Sequence, residues 1–125
     1  MKVEKILIPI LLLTFLTGCV SLRPNPRPWT KGEKTAAGFY LVAHSLDAYT
    51  TEKILDHPYY WELNPILGRH PSDGKIIFYF SITAIVTLLI GHLYPKTRVP
   101  LFMGYGGINA GCVLHNKRVL DNIKN

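Results

Sequence analysis

The chain has 125 residues, of which 48% are hydrophobic and only 18% are Asp, Glu, Lys or Arg. Soluble proteins average about 25% charged residues, so the composition excludes a disordered, solvating chain and does not fit a large soluble enzyme. The formal net charge of +6 favours either nucleic acid or a membrane surface as a partner. Because the basic residues flank apolar segments instead of forming a stripe, the pattern predicts the lipid bilayer and no nucleic acid.

The first 18 residues have the pattern of a secretory signal peptide. Lys2 and Lys5 precede a short apolar core over residues 6–16, which is too short to span a bilayer by itself. Leu16–Cys19 reads Leu-Thr-Gly-Cys, which resembles the lipobox of bacterial lipoproteins. That resemblance implies cleavage before Cys19 and a diacylglyceryl group, with acyl chains such as palmitate, on its thiol.

Residues 19–34 are predicted to be an acylated, basic tether. Pro24, Pro26 and Pro28 stand at alternate positions, which excludes a helix and favours an extended spacer. The basic residues around them suit anionic lipid headgroups next to a lipid anchor.

Three apolar segments follow and predict an all-α fold, a small membrane bundle of about three transmembrane helices over residues 35–118. The clearest segment, 75–95, carries no Asp, Glu or Arg and only one Lys at its start, and its length suits the hydrocarbon core. The others are 35–56, which contains Asp47 and crosses only if that residue faces inward, and 99–116. Residues 119–125 are predicted to be a polar tail.

The third segment is rich in glycine. Glycine is costly inside a soluble helix, but it allows close helix approach in a membrane. Gly107 and Gly111 have the small-xxx-small spacing, and Gly104 precedes them. We therefore predict that Gly104, Gly107 and Gly111 form a helix-packing surface.

Polar residues at membrane depth are functional candidates, because burying them in lipid is unfavourable. Asp47, Thr51 and Asn109 are predicted to lie at similar depth, where they would form one buried hydrogen-bonded cluster. Such a cluster would either hold the helices together or take part in a site.

A further resemblance rests on two short motifs. Asp47-Ala-Tyr-Thr50-Thr51 is followed by Glu62-Leu-Asn64-Pro65 in the next loop. This pair resembles the Asp-x-x-(Ser/Thr)-Thr and Glu-x-Asn-Pro elements of a family of small multi-helix bacterial membrane proteins of unknown function. The similarity covers roughly residues 36–115 and implies that Asp47, Thr51, Glu62, Asn64 and Pro65 are signature residues. It implies no activity, and the lipobox and Pro-rich stem depart from the family pattern.

The sequence thus predicts a lipid-anchored protein on the outer face of the bacterial inner membrane, with a structural or accessory role. Its partners would be a second copy of the chain or a larger membrane protein. No nucleophile–base pair is recognisable, so neither an enzyme nor a cofactor is predicted.

Two alternatives remain open at this point. One is an intramembrane small-molecule, ion or metal site, possibly catalytic, built from His44, Asp47, Glu62 and His115, with His44, Glu62 and His115 as weak metal candidates. The other is a periplasm-facing lipoprotein of the outer membrane. Val20, the residue after the lipidated cysteine, favours this location.

Overall fold

The computed structural model of this protein describes residues 24–62 and 64–123. The described residues form three α-helices and no strand, which confirms the all-α prediction. The helices are α1 (Lys31–Leu55), α2 (Asp73–Leu93) and α3 (Arg98–Ile123), and a 3-10 turn, Pro95–Thr97, joins the last two. The predicted signal peptide, 1–18, and the predicted lipidation site, Cys19, lie outside the described residues.

The helices run alternately up, down and up, so α1 and α3 start at the same end of the bundle. We call this the tether end, because residues 24–30 lie there, and the opposite end the loop end, because residues 56–72 lie there. α1 packs closely along α3, whereas α2 leans on α1 and touches α3 less. The bundle is therefore a tight helix pair with a more loosely attached third helix.

The observed helix boundaries differ from the predicted ones at two places. α1 begins at Lys31 instead of residue 35, because Thr30 and Glu33 form a reciprocal capping box that fixes the first turn. α3 continues to Ile123, so most of the predicted polar tail is helical. No Pro or Gly interrupts residues 117–123, and Val119 and Leu120 remain half-buried.

The apolar core lies at the tether end. It consists of Ala36, Ala37, Tyr40 and Phe102, with the Trp29 ring stacked on Phe102 at a centroid distance of 5.6 Å. Small residues on α1 thus allow α3 to approach, and an aromatic residue of the preceding segment covers the junction.

The glycines that make close contacts are not the predicted ones. A Cβ atom on Gly106 would lie 2.7 Å from the Phe39 ring and 3.2 Å from the Tyr40 Cα atom. A Cβ atom on Gly91 would lie 2.6 Å from the ring of the fully buried Phe102. By contrast, nothing lies within 4 Å of the corresponding positions at the predicted packing residues, Gly104, Gly107 and Gly111. Within the chain, the helix-packing role therefore belongs to Gly106 and Gly91.

By length and composition, one helix among the described residues is suited to crossing a membrane, and it is α2. α1 carries Asp47, Glu52 and Lys53, and α3 is diluted by glycine, asparagine and histidine, so neither is apolar enough for the same criterion. Only Ile76, Thr87 and Gly91 of α2 are buried in the bundle.

We expect Gly106→Ala to destabilise the detergent-solubilised protein by about 1–3 kcal/mol, because the added methyl group would collide with the Phe39 ring and crowd the Tyr40 Cα atom. Gly107→Ala is the matched control. It meets open space, and we expect it to be neutral or slightly stabilising because alanine favours the helix. Thermal unfolding followed by circular dichroism measures both, and equal effects of the two substitutions would contradict this packing.

Candidate functional site

The Arg98 side chain is completely buried at the tether end, where it joins three parts of the chain. Its Nε donates to the Gly91 carbonyl oxygen (2.8 Å), and Nη2 donates to the carbonyl oxygens of Arg27 (2.8 Å) and His92 (3.3 Å). Nη1 donates to the Pro28 carbonyl oxygen (3.3 Å) and to Glu33 Oε2 (3.1 Å). All five N–H groups of the guanidinium are therefore used. Two of them satisfy carbonyls at the C-terminal end of α2, which lack helical partners.

Glu33 is the acidic partner in this cluster, which we call the latch. Its carboxylate accepts hydrogen bonds from the Thr30 backbone N–H (2.9 Å), from both terminal nitrogens of Arg27 and from the Arg98 guanidinium. The hydrogen bond from Thr30, with the neighbouring guanidinium groups, lowers the pKa of Glu33 from its ordinary 4.5 to about 2. The carboxylate therefore stays charged at any physiological pH.

The latch also fixes the segment before α1. The Asn25 backbone N–H donates to the Leu93 carbonyl oxygen (3.1 Å), and the Arg98 guanidinium lies 4.6 Å from the centre of the Trp29 ring. The described part of the predicted tether is thus bonded to the ends of α2 and α3, and its Arg27 is engaged with Glu33.

A second polar cluster joins all three helices near mid-depth. The Asn109 Nδ2 donates to His44 Nδ1 (3.0 Å), so the ring proton of His44 lies on Nε2. That nitrogen lies 2.9 Å from the Phe80 carbonyl oxygen and 3.0 Å from Thr83 Oγ1. Both ring nitrogens of His44 are therefore occupied by protein groups.

Asp47 lies in a third cluster, one turn closer to the loop end. The Asn116 Nδ2 donates to Thr50 Oγ1 (3.1 Å), to Thr51 Oγ1 (3.4 Å) and, at 3.5 Å, to Asp47 Oδ1. The prediction that Asp47, Thr51 and Asn109 form one cluster is therefore wrong. Asn109 pairs with His44, and Asn116, which the sequence analysis did not select, takes its place beside Asp47.

The Glu62–Pro65 motif builds the loop. The Glu62 Oε1 accepts the Asn64 backbone N–H (2.7 Å), and Asn64 Oδ1 accepts the Ile66 N–H (3.0 Å), while Pro65 is exposed in the turn. Gly68 adopts a positive φ of 79°, which suits glycine. The Lys75 Nζ then donates to the Leu67 carbonyl oxygen (2.7 Å), which ties the loop to the start of α2.

A groove of about 1150 Å³ opens between α2 and α3, with α1 as its floor. This volume slightly exceeds the usual range for small-molecule sites, about 300–1,000 Å³. His44, Asp47, Thr51, Glu62, Asn109 and His115, all selected from the sequence, line this groove together with Asn116.

Only some of the residues predicted from the sequence therefore lie together in the groove. Thr50 is buried outside the groove lining and donates to the Asp47 carbonyl oxygen. Of the three predicted packing glycines, Gly111 lines the groove, whereas Gly104 and Gly107 do not. In the described part of the chain, no group of three or more His, Cys, Asp and Glu residues is arranged to hold a metal ion. The weak metal candidates His44, Glu62 and His115 therefore do not form a metal site among these residues.

The most strongly bonded residues of the structure escaped sequence reasoning. Arg98 and Glu33 are not among the residues predicted from the sequence. The Thr30-x-x-Glu33 spacing of a capping box was present in the sequence and would have revealed Glu33. No comparable local signal marks Arg98, whose partner is 65 residues away.

Comparison with known proteins yields no matching family model, no matching curated protein and no matching solved structure. The resemblance to small multi-helix bacterial membrane proteins therefore stays a prediction from the two motifs.

The latch gives a pH dependence whose sign follows from the lowered pKa of Glu33. In the unfolded chain this carboxyl group takes up its proton near pH 4.5, whereas in the folded chain it does so near pH 2. Its contribution to stability is complete above about pH 4.5 and disappears as the pH falls towards 2. We expect the melting temperature of the native protein to fall through this window, and that of Glu33→Gln to fall less steeply. Asp56→Asn, which removes an exposed carboxyl group, should retain the native slope.

We expect the planar shape of the Arg98 guanidinium to contribute as much to the stability of the fold as its charge does. Arg98→Lys keeps the charge but cannot supply five donors in one plane, so we expect its melting temperature to fall by roughly 10 °C. Arg118→Lys, at an exposed position of the same helix, is the control. An unchanged melting temperature for Arg98→Lys would show that the latch is dispensable.

The two inner clusters should respond differently to substitution. Asn109→Leu leaves the Nδ1 atom of His44 without a donor, which we expect to cost about 1–3 kcal/mol. Asp47→Asn removes one long hydrogen bond and a poorly compensated buried charge, so it should not lower the free energy of unfolding by more than about 0.5 kcal/mol. The reverse order in thermal unfolding would make Asp47 the residue that holds the helices together.

Proposed function

We propose that this is an integral membrane protein of the bacterial envelope, anchored by lipid at Cys19, with a structural or accessory role. In this proposal all three helices cross the inner membrane, and the bundle packs on a second copy or on a larger membrane protein. The observation that carries the proposal is the apolar side-chain surface exposed on every helix.

That surface surrounds the bundle. Large apolar side chains are at least 37% exposed on each helix. Soluble monomers rarely expose contiguous apolar patches of more than a few hundred Å². The exposed residues are Phe39, Leu41, Val42, Leu46 and Tyr49 on α1, Ile77, Phe78, Ile82, Ile85, Val86, Leu89 and Ile90 on α2, and Val99, Met103, Tyr105, Ile108 and Leu114 on α3. A bilayer would cover all of them.

The charges are distributed as this placement requires. Residues 76–93 and 99–116 contain no Asp, Glu, Lys or Arg, and within 35–51 Asp47 is the only one. Asp47 faces the inside of the bundle and is only 8% exposed. Eighteen residues of helix are about 27 Å long, close to the thickness of the hydrocarbon core. The inward position of Asp47 meets the condition under which α1 can cross.

The latch supports a membrane surface at the tether end. Cys19 lies six residues before Asn25, which is bonded to the end of α2. Six residues reach at most about 20 Å, so an acyl anchor on Cys19 would enter the bilayer close to this end. Trp29, an aromatic residue suited to the membrane interface, lies at the same end.

The accessory role is supported by the open glycine surface on α3. Gly104, Gly107 and Gly111 are exposed and meet no neighbouring helix. In a membrane, small residues of this kind permit close approach of another helix. The outer-membrane alternative fits Val20, but it leaves the exposed side chains of α2 in water.

Alkaline carbonate extraction of bacterial membranes, with the native chain and Cys19→Ala side by side, tests this placement. We expect both proteins to remain in the pellet, because the helices hold them in the bilayer. Metabolic labelling with palmitate should mark the native chain only, which tests lipidation separately. If Cys19→Ala is released while the native chain pellets, the lipid is the sole anchor, and the three crossing helices are disproved.

A further inference from the structure

The groove between α2 and α3 changes character along its length. Towards the tether end its walls are apolar and include Val86, Ile90, Leu101 and Ile108. Towards the loop end they also contain polar residues, namely Asp47, Glu62, Asn64, His115 and Asn116, beside apolar ones such as Leu55, Leu67 and Val119. An occupant that matches both halves has a hydrocarbon part and a polar head.

The charge at the polar end is negative. Asp47 and Glu62 line the groove there, and none of the described residues that line it is Lys or Arg. Phosphate and carboxylate groups are normally held by arginine or lysine side chains, so a head of that kind does not match. A protonated amine would pair with both carboxylates.

The buried carboxylate of Asp47 accepts few hydrogen bonds. It is 8% exposed, and among the described residues its carboxylate accepts one hydrogen bond, from Asn116 at 3.5 Å. Glu33, equally buried, accepts from a backbone N–H and two guanidinium groups. A buried carboxylate with so little compensation is unfavourable unless a cation or another donor joins it.

His44 is not available to such an occupant, because both of its ring nitrogens are bonded to protein groups. It instead holds α2 and α3 against α1 and so fixes the width of the groove. The polar groups that remain for an occupant lie between His44 and the loop. There Asp47 accepts one long hydrogen bond from Asn116, Glu62 accepts the Asn64 backbone N–H, and both residues line the groove.

We propose that the groove binds an amphiphile with one long hydrocarbon chain and a protonated amine head. The chain lies between α2 and α3 towards the tether end. The head donates hydrogen bonds to the carboxylates of Asp47 and Glu62, and the Asn116 amide assists. This goes beyond the membrane placement proposed above and is tested on purified protein, so either proposal can fail while the other holds.

The test uses a sixteen-carbon alkylamine that carries a photoreactive diazirine in its chain. The full-length protein is purified in a nonionic detergent and irradiated with this probe, and the labelled peptides are identified by mass spectrometry. We expect label on the groove-facing sides of α2 and α3. An alcohol and a carboxylic acid of the same chain length should label these peptides about tenfold less, since a hydrogen-bonded charge pair is missing.

Matched variants separate the head site from general charge effects. Asp47→Asn and Asp47→Asn with Glu62→Gln should each reduce labelling by the amine about tenfold, without reducing the low labelling by the alcohol. Glu52→Gln with Asp56→Asn removes two carboxylates from the same end outside the groove lining and should label like the native protein. Val86→Trp fills the apolar half and should reduce labelling by every probe.

Three results would overturn the proposal. The first is equal labelling by the amine and the alcohol. The second is unchanged labelling by the amine in Asp47→Asn, provided that thermal unfolding shows the variant to be folded. The third is the absence of probe label from the groove peptides of a folded protein that elutes as a dimer, which would point to another protomer as the occupant of the groove.

Discussion

The burial of one arginine side chain governs the tether end of this protein. Arg98 has no exposed surface, and a guanidinium removed from water is tolerated only when its charge and all its donors are compensated. The chain meets that demand with one carboxylate and four backbone carbonyls from three separate segments. The segment before α1, the start of α1 and the C-terminal end of α2 must therefore come together if Arg98 is to be buried.

The groove follows from how unevenly the helices are held elsewhere. α1 and α3 are joined along their length, by the close approach at Gly106, the His44–Asn109 hydrogen bond and the contacts of Asn116. α2 is held by Arg98 at its end and by His44 near its middle, and has few contacts with α3. Space therefore opens between α2 and α3, and the polar side of α1 is exposed to it.

Helix number and approximate position could be predicted from the sequence, because uninterrupted apolar segments and Pro- or Gly-containing loops are local features. The partners could not. Gly106 and Gly107 are adjacent and chemically identical, yet only Gly106 faces α1, because the rotation of α3 about its own axis is set by tertiary contacts. The same holds for Asn109 and Asn116, whose pairing with His44 and Asp47 depends on the relative shift of two helices along their axes.

The presence of a polar residue inside an apolar bundle does not by itself indicate a binding site. The number and length of its hydrogen bonds to the rest of the protein distinguish a structural residue from a candidate binding residue. His44 accepts a hydrogen bond from Asn109, and its other ring nitrogen is bonded to the Phe80 carbonyl and the Thr83 hydroxyl. Both ring nitrogens thus have partners within the protein, which is typical of a structural contact. Asp47 lies one helical turn away, is equally buried, and accepts a single long hydrogen bond. The free energy of burying that carboxylate is not recovered by the described residues around it. A donor in the groove beside Asp47 would recover it, so Asp47, and not His44, is the residue that we propose to contact an amphiphile.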